Sequence, residues 1–419
     1  MIVGVPTETM PGETRVALVP PAAERLVDDG YTVCVASGAG EASRWSDDEY
    51  RDAGCEVVDD RETVFERADV VLQVRGLGAA DGVDPYADGQ VVIGLLGPYD
   101  VDSAVLDDLA ARNVSAFALE LMPRISRAQS MDALSSMASI GGYKAAITAA
   151  EALPKMFPMQ MTAAGTVQPA EVFVIGAGVA GLQAIATAKR LGASVQGYDI
   201  RLEVREEVRS LGAEFVELDL ETEGTGDEEG YANEMDEEFY RQQRKALTRV
   251  VAESDVVITT AAIPGRPAPE LVTTEMIEAM RPGSVIIDLA AATGGNCEPT
   301  IADETVEVDG VTVYGPTNLP GTVPFHASQL YTNNVTTFLR ELTGDDGLTF
   351  DLDDEVVDST LLTHEGRVRN PHRAGDESDS DSGDGADESE SEGNDIDETT
   401  DASDEHDDNG KAEGETDDD

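Results

Sequence analysis

The chain has 419 residues, of which 85 are acidic and 28 basic, so its net charge at pH 7 is −57. The last 44 residues hold 22 of the acids and one lysine, which leaves −36 on the first 375 residues. A charge this negative argues against binding to nucleic acid or to an anionic lipid surface. Only five basic residues are lysines, and an acidic, lysine-poor surface predicts a halophilic source whose salt-rich cytoplasm screens the repulsion.

The first ten residues, MIVGVPTETM, contain neither a basic segment nor a long apolar run, so we predict no signal peptide. The longest apolar stretch, Val172–Ala188, is short for a membrane span and is rich in glycine and alanine. It predicts a strand, a turn and a helix rather than insertion into a membrane. The three cysteines have no C-x-x-C spacing, which favours reduced thiols in a cytosolic protein, and we predict no metal site.

Short runs rich in Val and Ile alternate with helical stretches, a pattern typical of parallel sheets covered on both faces. The pattern predicts an α/β fold with two Rossmann-like, doubly wound domains. The strands expected in the first domain are Ile2–Pro6, Thr32–Ala36, Val70–Val74, Val91–Leu96 and Val114–Leu119. Those expected in the second are Val172–Ile175, Ser194–Asp199, Glu214–Leu218, Val256–Thr260, Ser284–Leu289 and Val311–Gly315.

The segments between and after the strands set the expected domain boundaries. A helical stretch, Met131–Leu153, joins the two sets of strands, and a last helix over residues 321–342 is expected to return to the first domain. We therefore predict a discontinuous first domain, residues 1–135 and 318–345, and a nucleotide-binding domain, residues 136–317. Residues 346–419 predict an acidic, disordered tail, because they hold too few apolar residues to fold.

The segment Lys155–Gly165 contains three methionines and a phenylalanine outside any predicted strand. Such a segment reads as an exposed apolar arm with a turn. An arm of this kind is expected to pack on a twin subunit, which predicts a homodimer.

The strongest local signal is the strand Val172–Ile175 followed by the turn GAGVAG, residues 176–181, and a helical run. A strand, G-x-G-x-x-G and a helix together form the dinucleotide-binding fingerprint. Gly176 permits the tight turn, Gly178 lets the backbone approach the pyrophosphate, and Gly181 allows close helix–strand packing. The pyrophosphate is expected at the helix N-terminus, next to Val179, where free N–H groups favour anions.

The next predicted strand ends at Asp199, 18 residues after Gly181. A carboxylate at this point accepts hydrogen bonds from ribose hydroxyls and repels a 2′-phosphate, which predicts NAD(H) rather than NADP(H) as the ligand. Ile200 and Arg201 follow directly and belong to the same predicted site, and Arg201 is close enough to complicate the selection.

A dehydrogenase that oxidises a hydroxy or amino acid needs a general base beside the nicotinamide, usually histidine or lysine. The four histidines are His326, His364, His372 and His406, and the last three fall at or beyond the predicted end of the folded body. His326 reads as a polar residue at a helix start, and Asp288 reads as structural. Lys144 and Lys189 fit surface or phosphate-binding roles equally well. The sequence thus predicts a chain that binds and holds NADH without acid–base machinery of its own.

Six further segments carry a recognisable pattern: PRISRAQSMDALSS (123–136), GAEF (212–215), GYA (230–232), TTAAIPGRPAP (259–269), DLAAATGGNC (288–297) and SQLYTN (328–333). Together they resemble the NAD(H)-binding alpha subunit of proton-translocating NAD(P) transhydrogenases, in the alanine dehydrogenase/transhydrogenase family. The resemblance covers roughly residues 1–342, and the Arg-x-x-x-x-Gln-x-x-Asp element is specific to this branch.

The resemblance implies roles for particular residues. Arg124, Gln129 and Asp132 would hold the nicotinamide end of NAD(H) as the catalytic set, with Ser135 nearby. Tyr231 would lie on a loop, Glu223–Glu238, that closes over the nucleotide. The other nucleotide-binding residues that it implies are Ile125, Ser126, Arg127, Gly230, Thr260 and Ala262. Without the resemblance, Arg124 and Asp132 read as a surface ion pair.

The resemblance also implies an activity. Hydride would pass directly from NADH on this chain to NADP⁺ on a partner beta subunit, coupled to proton translocation by membrane-embedded subunits. The acidic tail stands where some family members carry transmembrane helices, so the membrane part would be a separate chain. This chain would then be cytoplasmic and peripheral on the inner face of the cell membrane.

Two alternatives belong to other functional classes. Alanine dehydrogenase is similar in fold and shares ETRVA (13–17) and the Ile-Pro-Gly turn, but its catalytic histidine should fall near Leu96 and its substrate lysine near Arg75. The absence of both favours the transhydrogenase. A regulatory NAD-sensing module is the other alternative, and the length of the resemblance speaks against it.

Overall fold

Two sheets organise the chain in a computed structural model, which describes residues 1–77, 84–218, 237–344, 347–370 and 372. The first domain opens with six strands and four helices. In chain order its strands are β1 (Ile2–Val5), β2 (Thr32–Ala36), β3 (Glu56–Val58), β4 (Val70–Arg75), β5 (Val91–Leu95) and β6 (Ser115–Ala118). Its helices are α1 (Pro20–Asp28), α2 (Asp47–Asp52), α3 (Arg61–Arg67) and α4 (Ser103–Ala111).

A long helix and a short hairpin then lead to the second domain. They are α5 (Ala133–Ala152), β7 (Gln160–Thr162) and β8 (Gly165–Val167). The strands of the second domain are β9 (Glu171–Ile175), β10 (Ser194–Tyr198), β11 (Glu214–Phe215), β12 (Val256–Thr259), β13 (Val285–Asp288), β14 (Thr305–Val308) and β15 (Val311–Tyr314). Its helices are α6 (Val179–Arg190), α7 (Arg205–Ser210), α8 (Glu237–Glu253) and α9 (Thr274–Glu278).

The remaining elements return to the first domain. They are α10 (Pro324–Glu341), β16 (Thr343–Gly344), β17 (Gly347–Leu348), α11 (Glu355–Thr360), β18 (Leu361–His364) and β19 (Arg367–Val368). Tyr331, Val335 and Phe338 of α10 are fully buried in the core of the first sheet, so the predicted return of this helix is confirmed.

The strand orders are those of doubly wound α/β domains. The first sheet runs β3-β2-β1-β4-β5-β6-β18-β19 and is parallel from β3 to β6. The second runs β11-β10-β9-β12-β13-β15-β14, with only β14 antiparallel. In each sheet the strands are added first on one side of the first strand and then on its other side. This reversal of the strand order lies between β1 and β4 in the first sheet and between β9 and β12 in the second. A ligand crevice is expected outside the carboxyl ends of the strands at such a point.

The predicted fold class is confirmed, and all eleven predicted strands are present; their bounds change by at most one residue at either end, except that β11 ends at Phe215 and not at Leu218. In the parts of the two sheets that precede α10, the strands β3 and β14 were not predicted from the sequence. Both are short and partly exposed, so they lack the continuous apolar run that marks a buried parallel strand.

The prediction of a disordered tail from residue 346 is wrong as far as residue 370. Strand β18 pairs antiparallel with β6 and adds an edge to the first sheet. Val356, Val357, Leu361 and Leu362 are buried there, so two short apolar pairs supply enough burial to order an acidic segment. Apart from His372, the rest of the predicted tail lies outside the described residues.

The segment after α5 is an exposed arm only in part, because Phe157 of the predicted arm is buried in the core of the second domain. Every residue of β7 and β8 is exposed, and Met161 is 77% exposed. The three cysteines are buried and unpaired. Within the described ranges, no helix combines the length and apolar character that a membrane crossing requires.

Candidate functional site

The glycine turn between β9 and α6 lies at the reversal point of the second sheet. Gly176 adopts φ = +95°, and the Thr260 hydroxyl donates a hydrogen bond to its carbonyl oxygen at 3.1 Å. A Cβ atom on Gly181 would lie 1.8 Å from the same oxygen, whereas one on Gly178 would meet nothing within 4 Å. The turn is therefore closed on its inner side by Gly176 and Gly181. It is open at Gly178, where a phosphate can approach the N-terminus of α6.

Asp199 lies directly after β10 and beside this turn. Its carboxylate accepts a hydrogen bond from the Ala177 N–H at 2.7 Å and is only 6% exposed. Arg201 folds back on it, with Nε 3.0 Å from Oδ1 and Nη2 3.0 Å from Oδ2. These hydrogen bonds raise the pKa of Arg201. The guanidinium of Arg201 thus engages both carboxylate oxygens of Asp199, so any further group that binds this carboxylate has to share or displace it.

A second loop of the site follows β12 and includes Thr260 and the exposed Ala262. Asn296 holds this loop, because its Oδ1 accepts from the Ala261 N–H at 3.0 Å and its Nδ2 donates to the Pro269 carbonyl at 2.8 Å. Asn296 is in turn held by Asp288, which accepts its N–H at 2.7 Å. Asp288 is fully buried and fixes this loop, in agreement with its predicted structural role.

The segment with the Arg-x-x-x-x-Gln-x-x-Asp element leaves the first sheet after β6. A 3₁₀ turn, Ser126–Met131, presents exposed Gln129 just before α5. Asp132 caps this helix: its Oδ1 accepts from the Ser135 N–H at 2.8 Å, and its Oδ2 accepts from the Ser135 hydroxyl at 2.5 Å. Asp132 and Ser135 therefore fix the start of α5. Arg124 and Ser126 are exposed beside the turn, and Ile125 is partly buried.

Helix α5 joins the two halves of the site. A Cβ atom on Gly142 would lie 2.0 Å from the carbonyl oxygen of Ala180 in the first turn of α6, so the two helix backbones touch. Ten residues of helix, roughly 15 Å at 1.5 Å per residue, separate that contact from Asp132. Helix α5 thus sets the spacing between the Gln129 turn and the glycine turn.

Arg127 has partners that the sequence did not indicate. Its guanidinium pairs with Glu341 at the end of α10, at 3.0 Å, and with Asp354 before α11. These contacts tie the Ser126–Met131 turn to the C-terminal part of the first domain. In this structure the Arg127 side chain is thus engaged by two acids of the first domain.

Two partly buried acids that were not singled out in the sequence lie beyond the carboxyl ends of strands in the first sheet. Glu8 accepts the N–H groups of Val74 and Arg75 at 2.6 and 3.0 Å, and burial raises its pKa to about 8. Glu120 accepts the N–H groups of Leu96 and Gly97, and burial raises its pKa as well. Both acids follow the carboxyl end of a parallel strand, which is the signal that could have identified them.

The histidines lie in places that differ in part from the prediction. His326 is exposed at the start of α10, as expected. His364 is not beyond the folded body, since it lies on β18 with its Nδ1 2.9 Å from the Ser115 hydroxyl. His372 packs on the ring of Tyr99. Gly230, Tyr231 and His406 lie outside the described residues, and so does the predicted lid loop except Glu237 and Glu238, which begin α8.

Family models for the two domains of alanine dehydrogenase/PNT cover nearly all of this fold. The N-terminal domain model matches residues 4–141, and the C-terminal domain model matches residues 145–371. The chain belongs to the alanine dehydrogenase/PNT family. The membership predicted from the motifs is confirmed, and the second family model extends through β18 and β19.

Within the alanine dehydrogenase/PNT family, the chain is similar to an NAD(P) transhydrogenase alpha subunit of Rhodospirillum rubrum. The two are 44% identical over 382 residues, which cover 90% of this chain and 99% of that protein. A solved structure of the transhydrogenase from Sinorhizobium meliloti superposes with a TM-score of 0.78 at 44% identity, covering 88% of this chain and 100% of the other. A solved L-alanine dehydrogenase gives 0.72 at 27% identity, covering 88% and 97%. This chain is therefore more similar to these transhydrogenases than to that alanine dehydrogenase.

Proposed function

We propose that this chain is the NAD(H)-binding alpha subunit of a proton-translocating NAD(P) transhydrogenase, an oxidoreductase of several subunits. The observation that supports this most strongly is the path of α5, which connects the capped Gln129 turn to the glycine turn of the second domain. A single rigid helix thereby holds the nicotinamide-end and pyrophosphate-end residues at a fixed spacing. When bound, NADH supplies the hydride, which passes directly to NADP⁺ on a partner beta subunit.

The residues of the chain would bind and orient the nucleotide. The N–H groups at the start of α6 bind the pyrophosphate over Gly178. Asp199, with Arg201, binds the adenosine ribose, and the Thr260 loop closes the reversal point. Arg124, Gln129 and Asp132 orient the nicotinamide ring towards the partner. Proximity and orientation then supply most of the rate, since no proton has to move within this chain during hydride transfer.

The rival activity, alanine oxidation, needs a base and a substrate cation in the first domain. The N–H groups of Leu96 and Gly97 bind Glu120 at the place where the histidine of that family branch is expected. Also in the first domain, the side chains of Glu13 and Arg15 form a buried ion pair, with 2.5 Å between Arg15 Nη2 and Glu13 Oε2. We therefore expect no alanine oxidation by the purified chain. Steady NAD⁺ reduction with alanine would favour the rival.

The exposed arm supports a homodimer as part of this proposal. Met156, Met159 and Met161 are between 46% and 77% exposed, and apolar side chains at this density are expected to be covered in the working protein. The arm leaves its domain between α5 and β9, so a twin subunit can cover it without closing the nucleotide crevice.

The membrane-embedded subunits would place the homodimer at the cytoplasmic, inner face of the cell membrane. The acidic body suits a salt-rich, halophilic cytoplasm.

Changing Asp199 to serine is expected to weaken NADH binding about tenfold and to strengthen NADPH binding by a similar factor, about 1.4 kcal/mol each. The substitution removes the acceptor for the ribose hydroxyls and releases Arg201, whose guanidinium can then pair with a 2′-phosphate. Calorimetric titration with both nucleotides measures the two affinities.

The matched control for this experiment is the double variant Asp199→Ser, Arg201→Gln. It should lose NADH affinity in the same way but gain none for NADPH, because the guanidinium is gone. If the wild-type chain binds both nucleotides equally, Asp199 does not select the cofactor.

Changing Gln129 to asparagine is expected to slow hydride transfer at least about tenfold, or about 1.4 kcal/mol of barrier, with little change in NADH affinity. The shorter side chain keeps the amide but no longer reaches the same point, and a 1 Å misplacement can cost about a hundredfold in rate. Single-turnover kinetics with the chain and its beta subunit measure the rate. An unchanged rate would make the turn a structural hinge.

A further inference from the structure

The structure contains a contact between the two domains that the roles assigned above do not use. The loop after β5 carries Tyr99, whose half-buried ring packs on the backbone of Gly265 in the second domain. A Cβ atom on Gly265 would lie 2.6 Å from Tyr99 Cδ1 and 3.0 Å from its Cε1. The ring therefore occupies the space that any larger residue would need at this point.

The loop on each side of this contact belongs to the predicted site. Gly265 lies in a turn closed by the Arg266 N–H, which donates to the Ile263 carbonyl at 3.2 Å. That turn follows Ala262 directly. On the other side, β5 and β6 are hydrogen-bonded neighbours in the first sheet, so the Tyr99 loop and the segment leading to Gln129 leave adjacent strands.

The C-terminal segment supports the Tyr99 loop from behind. Asn370, only 6% exposed, donates from Nδ2 to the Pro98 carbonyl at 2.7 Å. The His372 ring lies 4.6 Å from the Tyr99 ring, centroid to centroid. Residues that follow β19 thus hold a loop whose tip reaches the nucleotide-binding domain.

We propose that Tyr99 is a positioning residue that sets the angle between the two domains and thereby aims the nicotinamide held by the Gln129 turn. The angle between the domains matters because, in the proposed function, the second domain binds the pyrophosphate and the first domain binds the nicotinamide end. This role rests on the proposed hydride transfer. The contact itself can be tested without it.

The first test uses the full chain alone. Spin labels at Glu66→Cys on α3 and Glu278→Cys on α9, both exposed positions, report the distance between the domains. Tyr99→Ala should broaden or shift the distance distribution, and Tyr99→Phe should restore that of the wild type, because it keeps the ring. An unchanged distribution in Tyr99→Ala would overturn the proposal whatever the activity of the chain.

The second test adds the beta subunit. Tyr99→Ala should lower the single-turnover rate of hydride transfer at least about tenfold while the NADH dissociation constant changes less than about threefold. Tyr99→Phe and the neighbouring control Asp100→Asn should match the wild type. Equal rates in Tyr99→Ala and wild type, or an equal loss in Tyr99→Phe, would contradict the role. A wild-type complex that transfers no hydride would instead contradict the proposed function.

Discussion

Replacing Gly181 with alanine is expected to weaken NADH binding strongly and to lower the stability of the second domain. The new methyl group would lie 1.8 Å from the Gly176 carbonyl oxygen and 2.8 Å from its carbon. Neither backbone atom can rotate away, so α6 has to move off the turn by more than about 1 Å, at a cost of roughly 1–3 kcal/mol. The same movement takes the helix N-terminus away from the pyrophosphate. An affinity loss of about a hundredfold or more, about 2.7 kcal/mol, is expected in calorimetric titration.

Gly178→Ala is the matched control, because it separates binding from stability. Its Cβ atom meets nothing within 4 Å, and Gly178 has φ = −76°, which any residue adopts. Thermal unfolding should therefore match the wild type. NADH affinity should still fall, since the methyl group stands where the pyrophosphate approaches. Normal NADH binding by Gly178→Ala would mean that the phosphates do not lie over this turn.

Replacing Asp288 with asparagine is expected to destabilise the second domain by roughly 3 kcal/mol. The carboxyl group accepts five hydrogen bonds, from the hydroxyls of Thr259 and Thr300 and from three backbone N–H groups. The amide of asparagine has one acceptor oxygen, so at least one backbone N–H loses its partner in a fully buried position. Urea-induced unfolding measures the loss.

The loss should extend to the nucleotide, because Asp288 holds Asn296 and Asn296 holds the loop after β12. NADH affinity is expected to fall along with stability. Asp303→Asn is the control: Asp303 is exposed and, among the described residues, its carboxylate accepts from Thr317 alone, at 3.0 Å from its N–H and 2.6 Å from its hydroxyl. A change within about 1 kcal/mol is expected there. Equal effects of the two substitutions would remove Asp288 from the support of the site.

The sequence predicted the parts of this fold that depend on local pattern. Buried parallel strands such as Val91–Leu95 are continuous apolar runs, and the glycine turn is recognised by its spacing between a strand and a helical run. The sequence could not predict that the Arg201 side chain folds back on the Asp199 carboxylate. The residues Asp199, Ile200 and Arg201 would fit equally well with a guanidinium that points away from that carboxylate. The partners of Arg127 are more than 200 residues away, so no local signal identifies them.

The C-terminal segment was misread for a related reason. An edge strand added to an existing sheet needs only a few apolar residues, since it pairs with a strand that is already in place, here β6. The pairs Val356-Val357 and Leu361-Leu362 are that minimal signal. Because aspartate and glutamate surround these pairs, the sequence alone indicates a solvated chain. Only the pairing with β6 shows that the segment is a strand.

The most direct test of the proposed hydride transfer follows one hydrogen atom. NADH carrying deuterium at the transferred position of the nicotinamide is given to the complex of this chain with its beta subunit and NADP⁺. Direct transfer predicts that the deuterium appears in the NADPH that forms and that none exchanges with water, because a hydride that passes from one carbon atom to another does not exchange with solvent. Deuterium found in the solvent, or NADPH formed without the label, would contradict direct transfer.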